Sequence, residues 1–155
     1  MNIGIDLHDT LSYMPEFFLP IIRSWDGKVF IVTGTPPSRW KETVDKLQRI
    51  GLSETEYTGV LMGFEYDKTS MNIDHFRRMR KHKLHLLQAN SVRVYIDDNP
   101  FYADYIRNHD IKVLQPILSS NYVSTFGKQD PFFSCHLQLK QFDFLEELED
   151  DEVTK

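Results

Sequence analysis

Cysteine is nearly absent from this chain. Cys135 stands alone, which excludes an internal disulfide and suits a reducing compartment. No apolar run approaches the roughly 20 residues of a membrane-spanning helix. Met1 opens no basic segment leading into an apolar one, so no secretory signal is read and a cytoplasmic location is expected. Internal repeats and Gly/Ser-rich linkers are also missing, so nothing divides the 155 residues into several folding units. What is present is a globular composition, 41% hydrophobic and 13% aromatic, enough for one sizeable core.

The formal charge of −5 is unevenly spread. Asp143 to Lys155 holds seven acidic residues and one lysine, leaving the rest of the chain close to neutral. That tail reads as a solvated or frayed end. The body in turn contains His75 to His85, with five Lys/Arg, three histidines and no acid. Such a run is either a phosphate-contacting surface or an ordinary solvated helix face.

Strand-length apolar runs recur at 2–6, 28–33, 58–64, 92–97 and 111–115, and each of the last four follows a stretch with helical spacing. The helical stretches are 15–25, 37–50, 73–88 and 101–108. Pro37 near the start and Gly51 past the end bracket the second, and Asn99-Pro100 caps the fourth. The alternation predicts βαβ units: an α/β, Rossmann-like three-layer sandwich around a mostly parallel five-stranded sheet. The core is expected over 1–118, with 119–155 an extension packing on it and 143–155 its acidic tail. Beyond Pro116 no period is legible.

Ligands of open parallel sheets gather beyond the carboxyl ends of the strands, and three of the predicted strands end in reactive groups. The first ends in Asp6, followed by His8, Asp9 and Thr10. Ionisable groups so close to a buried strand are costly to desolvate unless something there needs them. The second ends in Thr33-Gly34, whose hydroxyl and backbone N–H groups suit an anion, or form a merely structural turn. The fourth ends in Asp97-Asp98. Adjacent carboxylates there fit a hard divalent cation such as Mg²⁺, or else cap the next helix. Lys83, fourteen residues before Asp97, either neutralises phosphate charge or is a surface lysine.

Asp6-Leu7-His8-Asp9-Thr10-Leu11, Thr33, Lys83 and Asp97-Asp98, in that order and spacing, resemble the four motifs of the haloacid dehalogenase-like superfamily over residues 1 to about 116. Ile96-Asp97-Asp98-Asn99-Pro100 looks most like its phosphatases and 5′-nucleotidases. The resemblance implies a Mg²⁺-dependent phosphomonoesterase in which Asp6 attacks phosphorus to give an aspartyl-phosphate. It also implies Mg²⁺ held by Asp6, the backbone carbonyl of His8, Asp97 and Asp98, and phosphate held by Thr33, Gly34 and Lys83.

The usual first motif is Asp-x-Asp-x-Thr, and here His8 replaces the second aspartate, the proton-transfer residue. His8 therefore either takes over acid/base duty or marks a weakened, binding or regulatory member. Asp9 stands where a glycine is common. The intervals 11–27 and 34–82 leave no room for a large cap domain, which by resemblance suggests a nucleotide or a nucleic-acid-terminal phosphate as substrate. Tyr13, Phe17, Arg39 and Trp40 are candidates for the rim, with Phe17 and Trp40 equally plausible in the core.

Overall fold

A computed structural model describes residues 1–117. The expectations for 119–155, the acidic tail and Cys135 lie outside the described residues.

Five strands form one sheet: β1 (Asn2–Asp6), β2 (Val29–Val32), β3 (Gly59–Leu61), β4 (Val92–Ile96) and β5 (Lys112–Leu114). Their order is β3-β2-β1-β4-β5, and every neighbouring pair is parallel. The helices are α1 (Pro15–Ser24), α2 (Trp40–Arg49), α3 (Ile73–Ala89) and α4 (Pro100–Ile106). The chain winds outward from β1 to β3, returns through α3, and winds outward the other way. Right-handed crossovers then place α1 and α2 on one face and α3 and α4 on the other. This is the Rossmann-like three-layer sandwich.

Alternation along β1 shows why both faces are covered. Ile3 and Ile5 join Ile31, Phe18 and Ile22 of α1, and Leu47 of α2 in one buried cluster. Gly4 faces the opposite side, where an added Cβ would come within 3.0 Å of Leu87 on α3. Its missing side chain is what lets α3 lie close to the sheet. Each fully buried Leu or Ile stabilises the fold by about 1.5–3 kcal/mol.

Local chemistry sets the element ends. Asn72 caps α3 by accepting from the His75 N–H at 3.0 Å, and Asn99 caps α4 by accepting from Phe101 N–H at 2.9 Å. Gly51, at φ +98°, lets the chain leave α2. The helix expected over 37–50 divides, because Pro37–Arg39 forms a 3₁₀ turn before Trp40. The strand expected over 58–64 shortens to three residues.

Two expectations about side chains need correction. Phe17 and Trp40 are 53% and 47% exposed, so neither is a core residue. Helical geometry buries Phe18 and Ile22, one turn apart, and turns Phe17 outward, while Trp40 opens α2 one turn before its buried stripe. The basic run is neither an open phosphate surface nor a solvated face throughout. His75, Arg80 and Lys83 are buried, and the Arg80 guanidinium lies 4.8 Å from the ring centre of Phe101 and 4.4 Å from that of Tyr105. Aromatic faces on α4 make that burial tolerable.

Candidate active site

The order of the strands reverses between β1 and β4, the point at which parallel sheets open a crevice. In register, Ile5 pairs with Ile96, so the next residues, Asp6 and Asp97, emerge side by side. Lys83 reaches both from α3. Its Nζ donates to Asp6 Oδ1 at 3.0 Å and to Asp97 Oδ2 at 3.3 Å. The Tyr95 hydroxyl, on the same side of β4 two residues earlier, donates to Asp97 Oδ2 at 2.5 Å, and the Asn99 N–H donates to Oδ1 at 2.9 Å. Tyr102 places its ring centre 4.2 Å from Lys83 Nζ. The cluster is almost dry: Lys83 is 2% exposed, Asp97 0% and Asp6 6%.

Electrostatics here follow from that dryness. Burial, with the Asp97 charge added to it, pushes the Asp6 carboxyl well above the usual range, and Lys83 opposes both. Burial also works against the Lys83 charge, but Asp6 and Asp97 outweigh it and raise the ammonium's pKa. Asp98 is pushed up to about 7 by burial and then by Asp97. Tyr95 is raised by burial and by the carboxylates, so it remains a neutral donor.

Asp98 belongs to a second arrangement that ties two loops together. The Thr10 hydroxyl donates to Asp98 Oδ1 at 3.1 Å, and the Asp98 N–H donates to Thr10 Oγ1 at 3.2 Å. Thr10 sits in a kinked turn, Leu7–Leu11, that the chain enters directly from β1 and in which His8 and Asp9 leave the helical conformation. Asp9 adopts a left-handed conformation there, φ 59° and ψ 8°. That geometry favours glycine and tolerates aspartate, which accounts for the residue type at this position. Oxygens of Asp6, Asp97 and Asp98 all lie within 4.8 Å of one another.

The third arrangement surrounds the end of β2. Asp6 pairs with Val32, so Thr33 emerges beside it. Thr33 is fully buried, and its Oγ1 accepts from the Thr35 N–H at 3.1 Å and lies 2.9 Å from Thr35 Oγ1. Thr35 Oγ1 is in turn 3.2 Å from His8 Nε2, and Lys46 Nζ lies 2.9 Å from His8 Nδ1. His8 keeps a solvent-exposed face. Even so, the packing around its ring, and next the Lys46 charge, lower its pKa to about 4. Gly63 presses on the same loop. Its N–H donates to Thr35 O at 2.9 Å, and an added Cβ would lie 2.3 Å from Gly34 O.

The residues singled out in the sequence thus fall into two adjoining groups. Asp6, Lys83, Asp97 and Asp98 form the buried cluster, while His8, Thr33 and Gly34 belong to the loops beside it. Sequence reasoning missed Tyr95, Thr35 and Lys46. Tyr95 and Thr35 each stand two residues from a flagged position, and that spacing is a usable signal. Lys46 gives none, since only the docking of α2 brings it to His8.

No protein-family profile matches the sequence, and no curated protein does. Among solved structures, the chain is similar to the core domain of a protein named as a phosphoglycolate phosphatase from Streptococcus pneumoniae TIGR4, determined by NMR. Identity is 17%, the match covers 77% of this chain and 82% of that one, and the TM-score is 0.46. So distant a likeness carries nothing about activity. No described helix is long and apolar enough to cross a membrane.

Proposed function

We propose that this chain is a haloacid dehalogenase-like phosphomonoesterase that uses Asp6 as its nucleophile and Mg²⁺ as its cofactor. One observation carries the reading: a buried carboxylate at the end of β1, held by Lys83 and grouped with Asp97 and Asp98 at the switch point of a parallel sheet.

The donor set fits a hard divalent cation. Three buried carboxylates face one ammonium, and without a further positive charge Asp6 and Asp98 hold protons more tightly than carboxyls ordinarily do. Asp97 already accepts from Tyr95, Lys83 and Asn99, so Asp6 and Asp98 are the better placed ligands. A bound Mg²⁺ would supply charge that offsets the repulsion between carboxylate and phosphate dianion.

The chain's own residues do the rest. Lys83 donates to Asp6 Oδ1, which orients the carboxylate and leaves its other oxygen to attack phosphorus. As the P–O bond to the ester's alcohol breaks, the alcohol would leave with a proton drawn from water, and the aspartyl-phosphate on Asp6 would then be hydrolysed by water to inorganic phosphate and free Asp6. Tyr95 and Asp97 fix Lys83 in turn. Among the described residues the segment between β3 and α3 holds only a 3₁₀ turn, Lys68–Ser70, with no cap over the site. A groove of about 790 Å³, lined by three acids (Glu42, Glu65, Asp67), two bases (Arg39, Lys68), Tyr66 and Pro36, begins one residue beyond Thr35. An uncapped site suits a large substrate, a nucleotide or a nucleic-acid-terminal phosphate.

The test is a screen of phosphate monoesters, including 3′- and 5′-phosphorylated oligonucleotides, with Mg²⁺ and with EDTA. Phosphate release that needs Mg²⁺ and disappears in Asp6→Asn is expected. Failure to release phosphate from any compound would overturn the reading.

A further inference from the structure

Lys46 lies on α2 beside fully buried Leu47, so the anchored helix limits where its half-buried side chain can go. Its ammonium has three N–H donors and no acceptor. At 2.9 Å from His8 Nδ1, it must therefore donate, and Nδ1 must supply its lone pair. A neutral imidazole carries one proton, which this leaves on Nε2. The tautomer is thus assigned from the partners on both sides of the ring. Nε2 donates to Thr35 Oγ1 at 3.2 Å. Thr35 accepts that hydrogen bond, and with Thr33, 2.9 Å away, also donating to it, Thr35 keeps its own hydroxyl hydrogen to give.

A base at this position needs an unoccupied lone pair, and the ring's only one faces Lys46. An imidazolium would also place a second positive charge against the ammonium. Neither suits the arrangement, whereas a fixed N–H donor does.

We propose that Lys46 is a positioning residue that holds the His8 ring with its proton on Nε2, so that His8 donates to Thr35 Oγ1 and Thr35 in turn offers its own hydroxyl hydrogen to the phosphate site. The proposal rests on the phosphatase reading for the identity of the anion, but not for the pairing itself. His8 and Thr35 stand on the solvent side of fully buried Thr33, where the oxygens of an incoming phosphate would first be met.

Two measurements on the full chain test it. In ¹⁵N-labelled, metal-free protein at neutral pH, the His8 ring, assigned by its loss in His8→Gln, should show the Nε2–H tautomer. Lys46→Met should release the ring to a mixture, and Lys46→Arg, which also donates, should restore it. Inorganic phosphate binding in the presence of Mg²⁺ should weaken roughly three- to tenfold in Lys46→Met, about one hydrogen bond's worth. Lys46→Arg should recover it. His8→Leu, which has no donor, should weaken binding about as much as Lys46→Met, and His8→Gln, which keeps an N–H donor at the same reach but cannot transfer a proton, should recover part of it.

An Nδ1–H tautomer, or one indifferent to Lys46, overturns the pairing whatever the activity. A His8→Gln protein that loses phosphate binding altogether overturns the donor role. No turnover on any monoester, with the tautomer still set by Lys46, overturns the phosphatase reading and leaves the pairing standing.

Discussion

Thr10 and Asp98, 88 positions apart, bond to each other twice: the hydroxyl of one gives a proton to the carboxylate of the other, whose backbone N–H returns one. The loops after β1 and β4 are thereby locked, and both Thr10 and Asp98 are buried. Thr10→Val keeps the shape and removes both bonds. It should cost about 1–3 kcal/mol, the penalty for leaving buried polar groups without partners, read as a lowered denaturation midpoint.

Asp6→Asn retains an oxygen to accept from Lys83 and loses the attacking charge. Turnover should fall to background while the melting temperature changes little. Retention of more than a few per cent of native turnover would sink the nucleophile assignment.

Lys83 forms ion pairs with two of the three clustered carboxylates, Asp6 and Asp97. Lys83→Met leaves Asp6 and Asp97 uncompensated, and breaking a buried pair in this way costs about 3–5 kcal/mol. Urea denaturation should show the loss, and millimolar Mg²⁺ should restore part of it. A variant as stable as the native chain would mean the lysine's charge is immaterial.

Metal should also stabilise the native protein by mass action, about 2.7 kcal/mol when Mg²⁺ is at a hundred times its Kd. Asp98→Asn should abolish most of that gain in thermal melts. Asp97→Asn should lower it less, because Asp97 already has protein donors on both oxygens.

Without metal, the pH dependence should run opposite to ordinary acid denaturation. Asp98 titrates near 7 when folded against 3.8 when unfolded, and Asp6 is likewise raised. Between those values the native state holds more protons, so stability rises as pH falls from about 8 to 5. His8 works the other way. Its folded value of about 4 lies below 6.5, so its contribution is present above 6.5 and is lost as pH falls towards 4. Since His8 keeps an exposed face, its effect is the smaller. Urea midpoints of EDTA-treated protein should therefore be higher at pH 5 than at pH 8, and Asp98→Asn should flatten the difference.

Much of this could be read from residue order. An apolar run gave β1 and period-3.6 spacing gave the start of α3 to the residue, because the run stops at Asp6 and the helical spacing starts at Ile73. Carboxylates at strand ends pointed to the cluster for the same reason. Arg80 was misread since its tolerance for burial comes from Phe101 and Tyr105, and nothing local announces rings more than twenty positions ahead. Lys46 was invisible on similar grounds. Its role depends on how far α2 is turned about its axis, which is set by where Leu47 and Val44 find cover.

Gly63 has no side chain to react, bind or bond, yet even a methyl group there would overlap the carbonyl oxygen of Gly34. The bend that carries Thr33 and Thr35 is shaped by this emptiness as a casting is shaped by its mould. In a saturation screen for phosphate release, position 63 should thus score beside Asp6 and Lys83. Its substitutions would damage the reaction through backbone displacement alone, and a survey of reactive side chains would never find the cause.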